Sequence, residues 1–128
     1  PTYHQEIGAW QYMPPEAFKC DLQLGYNQSI DIYSFGMILW EIFQCEPPYK
    51  EYMLKAQEIK SKIIQGFRLP IPDNMPNNIQ QILELSWHQD PKQRPTPEYI
   101  ISILQNEIYP KVWKKTEIKN SNSRKKLI

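Results

Sequence analysis

The chain of 128 residues contains one valine, two cysteines and two histidines, and each shortage closes a route. With a single valine and no alternating apolar and polar run bounded by turns, the sequence offers no strand, so helix is expected throughout. Cys20 and Cys45 lie far apart and lack the Cys-x-x-Cys or Cys/His spacing of a zinc site; they are expected to be reduced, half-buried thiols. His4 and His88 have no serine, cysteine or carboxylate arrangement that would make a nucleophile or hold a metal, and His88 is expected at a helix end. No apolar run approaches the length that crosses a bilayer. No secretory leader precedes Pro1, which suggests a piece of something longer in a reducing compartment, with the cytosol as the default. No internal repeat is visible.

What is present is globular: 12% aromatic and 23% charged residues in a chain the size of one domain with one core. The net charge of +1 hides an acidic body and a basic tail. Up to Pro110 there are eight basic and thirteen acidic residues, whereas 111–128 hold Lys111, Lys114, Lys115, Lys119, Arg124, Lys125 and Lys126 against Glu117 alone. The tail is polar and aperiodic, and a disordered, solvated segment is expected there. It lacks the interleaved aromatics of a nucleic-acid-binding segment, so nucleic acid is disfavoured as a partner.

Twelve prolines divide the body into four helix-sized windows. In the first, Ser29 is expected to cap a helix with Asp31 in its opening turn, ending near Gln44 ahead of Pro47 and Pro48. Its apolar residues, Ile32, Phe35, Met37, Ile38, Leu39, Trp40, Ile42 and Phe43, surround nearly the whole circumference, so it should be a central rod enclosed on all sides. A second helix over about Tyr52 to Gln65 buries Ala56, Ile59 and Ile63, turns Lys55, Glu58 and Lys62 outward, and stops at Gly66. A third starts near Pro76, carries Ile79, Ile82, Leu83, Ser86 and Trp87 on one face, and is stopped by Asp90-Pro91. The fourth opens on Thr96-Pro97-Glu98, a cap, a first-turn proline and a carboxylate suited to the helix dipole; it shows Ile100, Ile103, Leu104 and Ile108 before Pro110.

Three ordered segments carry chemistry-bearing residues: Gly8-Ala9-Trp10-Gln11-Tyr12-Met13-Pro14-Pro15-Glu16, Asp31-Ile32-Tyr33-Ser34-Phe35-Gly36 and Asp90-Pro91-Lys92-Gln93-Arg94-Pro95-Thr96. Together they resemble the last third of a protein kinase catalytic domain, over Gly8 to about Leu104. The Tyr33 to Glu41 run and Trp87 ahead of Asp90-Pro91 are most similar to the tyrosine kinases and their tyrosine-kinase-like relatives, the latter favoured by Gln11-Tyr12 before Met13.

The resemblance implies an all-α fold, the partial C-terminal lobe of a protein-kinase-like domain over 1–110, with 1–16 the end of the activation segment. It implies that Gly8, Ala9, Trp10, Gln11, Tyr12 and Met13 form the loop that docks the protein substrate, although Trp10, Tyr12 and Met13 also suit ordinary packing. It pairs Glu16 with Arg94, 78 residues away; a buried carboxylate needs a permanently charged, forked partner. Asp31, sufficient by itself as a helix-start carboxylate, would in the family accept hydrogen bonds from a catalytic loop upstream of Pro1. With Trp87 these are structural residues.

Catalytic, cofactor-binding and metal residues are expected to be absent: no glycine-rich loop, strand lysine, catalytic-loop Asp and Asn or DFG Asp is found, so ATP and magnesium are expected only for a complete domain. Ala9 stands where serine/threonine kinases commonly have threonine, which leaves a binding scaffold of pseudokinase origin, using the exposed helix near Tyr52 to Gln65, as the other reading. The partners implied are a protein substrate or regulator and the N-terminal remainder of the domain, without which the isolated chain is expected to aggregate or be partly molten.

Overall fold

The computed structural model describes residues 10–19 and 27–108, with backbone alone at 106–108. The basic tail, Gly8, Ala9, His4, Cys20 and Ile108's side chain lie outside the described residues. Two compact units divide the chain, Pro1–Pro95 and Thr96–Ile128. The described residues are helical, with no strand among them. Five α-helices occur there: α1 (Pro15–Phe18), α2 (Gln28–Gln44), α3 (Ala56–Ile64), α4 (Asn77–Ser86) and, in the second unit, α5 (Pro97–Ile108). Short 3-10 turns span Trp10–Tyr12, Lys50–Lys55 and Pro91–Gln93.

The long helix α2 organises the first unit, packing on α4, on the Trp10–Tyr12 turn and on Pro91–Gln93. Its cap is Asn27 rather than Ser29: the Asn27 amide oxygen accepts from the Ile30 N–H at 3.2 Å, and the Ser29 hydroxyl donates to that same oxygen. Two cap-forming residues stand two positions apart, and the one with its backbone already extended takes the role.

Burial corrects the expectation of a rod enclosed all round. Ile32, Tyr33, Met37, Leu39 and Trp40 are buried, but Ile38 and Ile42 are 46% and 63% exposed. One strip of α2 therefore faces away from every described neighbour. At Gly36 the opposite holds: a Cβ there would stand 2.9 Å from the Ser86 Cβ, so α2 and α4 touch backbone to side chain at this point.

The helix ends at Gln44 as expected, but not because of the prolines. Cys45 turns into the left-handed region at φ 59°, and its N–H donates to the Glu41 carbonyl at 2.8 Å. Its thiol is exposed, not half-buried. A side chain with a Cβ is disfavoured there, whereas glycine is not. Cys45→Gly is accordingly expected to raise the unfolding free energy by about 1 kcal/mol, seen as a higher urea midpoint with unchanged slope; a lower midpoint would contradict it.

The second window begins differently from expectation. Lys50–Lys55 forms a 3-10 turn, and the α-helix proper starts only at Ala56. Over six residues a three-residue and a 3.6-residue repeat place side chains too similarly for the sequence to separate them. Ile59 and Ile63 are buried and Ala56 half-buried, Lys55, Glu58 and Lys62 are exposed, and Gly66 takes φ 106°. The third helix stops at Ser86, four residues short of Asp90; Trp87 caps it, and Asp90-Pro91 opens a separate turn. Within the second unit, Thr96 caps α5 by accepting from the Tyr99 N–H at 3.2 Å, and Ile100 is buried while Ile103 and Leu104 are half-buried.

Candidate functional site: a clamped docking loop

Pro14 and Pro15 preset the backbone that turns from the Trp10–Tyr12 loop into α1, and both are buried. That places Glu16 in the first turn of a short helix, pointing inward. Pro91 starts the later 3-10 turn in the same way and delivers Arg94, 7% exposed, to the same interior. Arg94 Nη2 donates to Glu16 Oε1 at 2.7 Å, with side-chain exposures of 0% and 12%. The guanidinium spends its other groups on carbonyls: Nε on His88 O at 3.0 Å and Nη1 on Ser29 O at 3.1 Å. One side chain therefore ties the start of α1, the start of α2 and the segment after α4.

A second arginine, which the sequence reading did not single out, reinforces this junction. Arg68 donates to Trp87 O at 2.8 Å, to Ile63 O at 3.2 Å and Phe67 O at 2.7 Å, and to Gln89 Oε1 at 2.9 Å. Trp87 is buried and so serves both by its ring and by this carbonyl. Arg68 and Arg94 each stand over the Tyr33 ring, at 5.3 and 5.0 Å from its centroid. Cations over an aromatic face attract its quadrupole, which lets two like charges share one interior.

The loop itself is held from below. Trp10 is buried, while Gln11, Tyr12 and Met13 are half-buried. The Tyr12 hydroxyl lies 3.0 Å from both Glu41 carboxylate oxygens, and the Ser34 hydroxyl donates to Tyr12 O at 2.9 Å. Burial first, and then the Glu41 carboxylate, push the Tyr12 phenol above its ordinary value, so it stays a donor. Glu41 and Ser34 were not expected as site residues; both sit on α2, and only folding brings them under Tyr12. Trp10 stacks on Tyr49 at 5.7 Å between centroids. Asp31 is exposed in the first turn of α2. His88 follows the end of α4, where its Nδ1 accepts from the Asp90 N–H at 3.0 Å.

Tyr33 and Tyr49 are both buried, and their hydroxyls perturb one another without reaching hydrogen-bond geometry. Burial is the leading cause that raises both phenols above the ordinary value of 10.0; Arg68 opposes it in part at both, and Arg94 at Tyr33. Above about pH 10 the unfolded chain loses these protons while the folded one keeps them, so the folded state binds more protons and stability falls as pH rises. The urea midpoint is expected to drop between pH 9 and pH 11, roughly one unit either side of the free phenol. The drop should be smaller in Tyr49→Phe; an equal drop in both proteins would count against these phenols.

A cavity of about 400 Å³ opens between the end of α2 and the Leu69–Asp73 segment. Glu46, Glu51 and Asp73 line it against a single ammonium, Lys50, a charge balance that repels a triphosphate. Among the described residues no three His, Cys, Asp or Glu side chains cluster as metal ligands.

The helix order, the buried carboxylate and guanidinium, and the Asp31–Gly36 segment opening the central helix define a class: the all-α C-terminal lobe of a protein-kinase-like fold. The chain belongs to the protein tyrosine and serine/threonine kinase family, whose sequence model matches residues 2–104. It is 35% identical over 103 residues to the probable serine/threonine-protein kinase roco7 of Dictyostelium discoideum, covering 78% of this chain and 4% of that protein. It is 33% identical over 103 residues to mitogen-activated protein kinase kinase kinase 7 of Homo sapiens, covering 80% and 16%. With serine/threonine-protein kinase STY46 of Arabidopsis thaliana it shares 34% over 118 residues, 92% of this chain and 20% of that one. The chain thus spans a fifth or less of the length of these relatives. No described helix is long and apolar enough to cross a membrane.

Proposed function

We propose that these residues are the substrate-docking and core-supporting part of a protein kinase domain that transfers the γ-phosphate of ATP to protein hydroxyls, serine or threonine ahead of tyrosine. The observation that carries this reading is the docking loop fixed on two sides, by Tyr12 on Glu41 and by Glu16 on Arg94. A loop that must hold a peptide in line for phosphoryl transfer gains from such fixing, because positioning and electrostatics supply nearly all of that catalysis. The serine/threonine kinases among the relatives support the hydroxyl class. The nucleotide, the magnesium ion and the proton acceptor would come from the remainder of the domain. The exposed strip at Ile38 and Ile42 is the surface that this remainder would cover.

A second reading has its own observation. Met53 and Leu54 on the Lys50–Lys55 turn are exposed large apolar residues, and a binding scaffold without catalysis would use such a surface for a protein partner. Ala9, without a hydroxyl, is compatible with it.

Both readings meet one experiment. The full-length gene product carrying these residues is incubated with labelled ATP, magnesium and serine-, threonine- and tyrosine-containing peptides. Label on serine or threonine is the expected result. Nucleotide binding without transfer, or neither, would remove the catalytic reading and leave the scaffold.

A further inference from the structure

Lys60 is the one cation of α3 set against aromatic rings. Its ammonium lies 5.8 Å from the Trp10 ring centroid and 5.7 Å from that of Phe18. Trp10 belongs to the docking loop, Phe18 closes α1, and α1 packs on α3. The neighbouring charges on the helix are otherwise engaged: Glu58 pairs with Lys62 at 3.7 Å on the solvent side. Lys60 has no carboxylate within ion-pair distance among the described residues, and it is half-buried beside the buried Ile59. Its aliphatic stem thus lies along apolar surface while its charge is directed at two ring faces.

Two further contacts from the same stretch of chain reach the same loop. Tyr49 stacks on Trp10 at an interplanar angle of 24°, and Gln11 Nε2 lies 3.4 Å from Met53 Sδ. From Tyr49 to Lys60, the segment forms a floor under Trp10 and Gln11, with Lys60 the member that also reaches α1.

We infer that Lys60 is a positioning residue for the docking loop: its charge holds the Trp10 and Phe18 rings in one geometry and so sets how a protein substrate is received. This rests on the docking reading above. Lys60 touches no reacting atom, and its effect passes through Trp10. A cation over an aromatic face at a half-exposed position corresponds to a change of about two- to five-fold in an equilibrium constant.

The test uses the full-length protein with Lys60→Met, which keeps the unbranched stem and removes the charge, and Lys60→Arg, which keeps a cation able to stack on the rings. Lys60→Met is expected to raise the peptide KM about two- to five-fold while the KM for ATP and kcat stay at the parent values, and Lys60→Arg is expected to restore the peptide KM. An unchanged peptide KM, an arginine variant as weak as the methionine one, or equal losses in ATP KM and kcat would each overturn it. If the parent protein transfers no phosphate, the docking reading fails, and the positioning role is read from amide hydrogen exchange. Exchange about two- to five-fold faster across Trp10–Phe18 in Lys60→Met, with Ile82–Ser86 unchanged, then upholds the positioning role. Equal exchange in parent and variant overturns it.

Discussion

Arg94→Met is expected to lower the unfolding free energy by about 3–5 kcal/mol, because it leaves the Glu16 carboxylate buried and uncompensated. Methionine keeps the apolar stem but not the guanidinium, so the loss combines the charge, its three hydrogen bonds and the space the group filled. Those bonds run to three separate elements, through Glu16 Oε1, Ser29 O and His88 O. Arg94→Lys should recover only part of the stability, since an ammonium on a flexible stem cannot serve three directions from one plane. The double substitution Glu16→Gln with Arg94→Met should cost less than Arg94→Met alone, as no buried carboxylate is left without its partner. Urea unfolding of the full-length protein, followed by pulse proteolysis of this domain, measures all three. A cost below about 1 kcal/mol for Arg94→Met would mean that the pair behaves as a solvated surface bridge.

Gly36→Val carries the second large effect, about 3 kcal/mol of destabilisation. The glycine lies mid-helix in α2 at ordinary helical geometry, so its role is space: the first atom of any side chain meets Ser86 Cβ at 2.9 Å and Leu83 Cδ1 at 3.7 Å. Ser86 and Leu83 are fully buried and have no room to retreat. Gly36→Ala should cost less, since the gain in helix propensity, roughly 1 kcal/mol, offsets part of the overlap. Adding Ser86→Gly removes the atom that is struck, and the Gly36→Ala, Ser86→Gly pair should be more stable than the sum of its single changes predicts. Strict additivity would show that the two helices separate without strain.

The elements most legible in the sequence are those with a short-range cause. Thr96-Pro97-Glu98 announced the start of α5, and Gly66 announced a left-handed residue, because each signal lies within a few residues of the feature it produces. Cys45 and Tyr49, also left-handed, gave no such sign, since neither is glycine or asparagine; Tyr49 is buried and stacked on Trp10, whereas Cys45 is bonded only locally among the described residues, to Glu41 O and Ile42 O. Of the candidate docking loop, the sequence marked Gly8 to Met13, with Gly8 and Ala9 outside the described residues, but not Ser34, Glu41, Tyr49 or Lys60, which reach it from tens of residues away. Arg68 escaped notice for the same reason, since an isolated arginine in a sequence is most simply read as a solvated charge.

Composition and pattern alone settled the helical class, the number of long helices and most of the buried faces, because proline placement and helical periodicity act over a few residues. Family resemblance within the sequence paired Glu16 with Arg94 across 78 positions, a link that no local rule carries. Only the tertiary structure decided which strip of α2 stays uncovered, that Gly36 lies against Ser86, and that two arginines share the Tyr33 ring. Those outcomes depend on which surfaces meet and how closely, and chain order does not encode distance between segments until the core has formed.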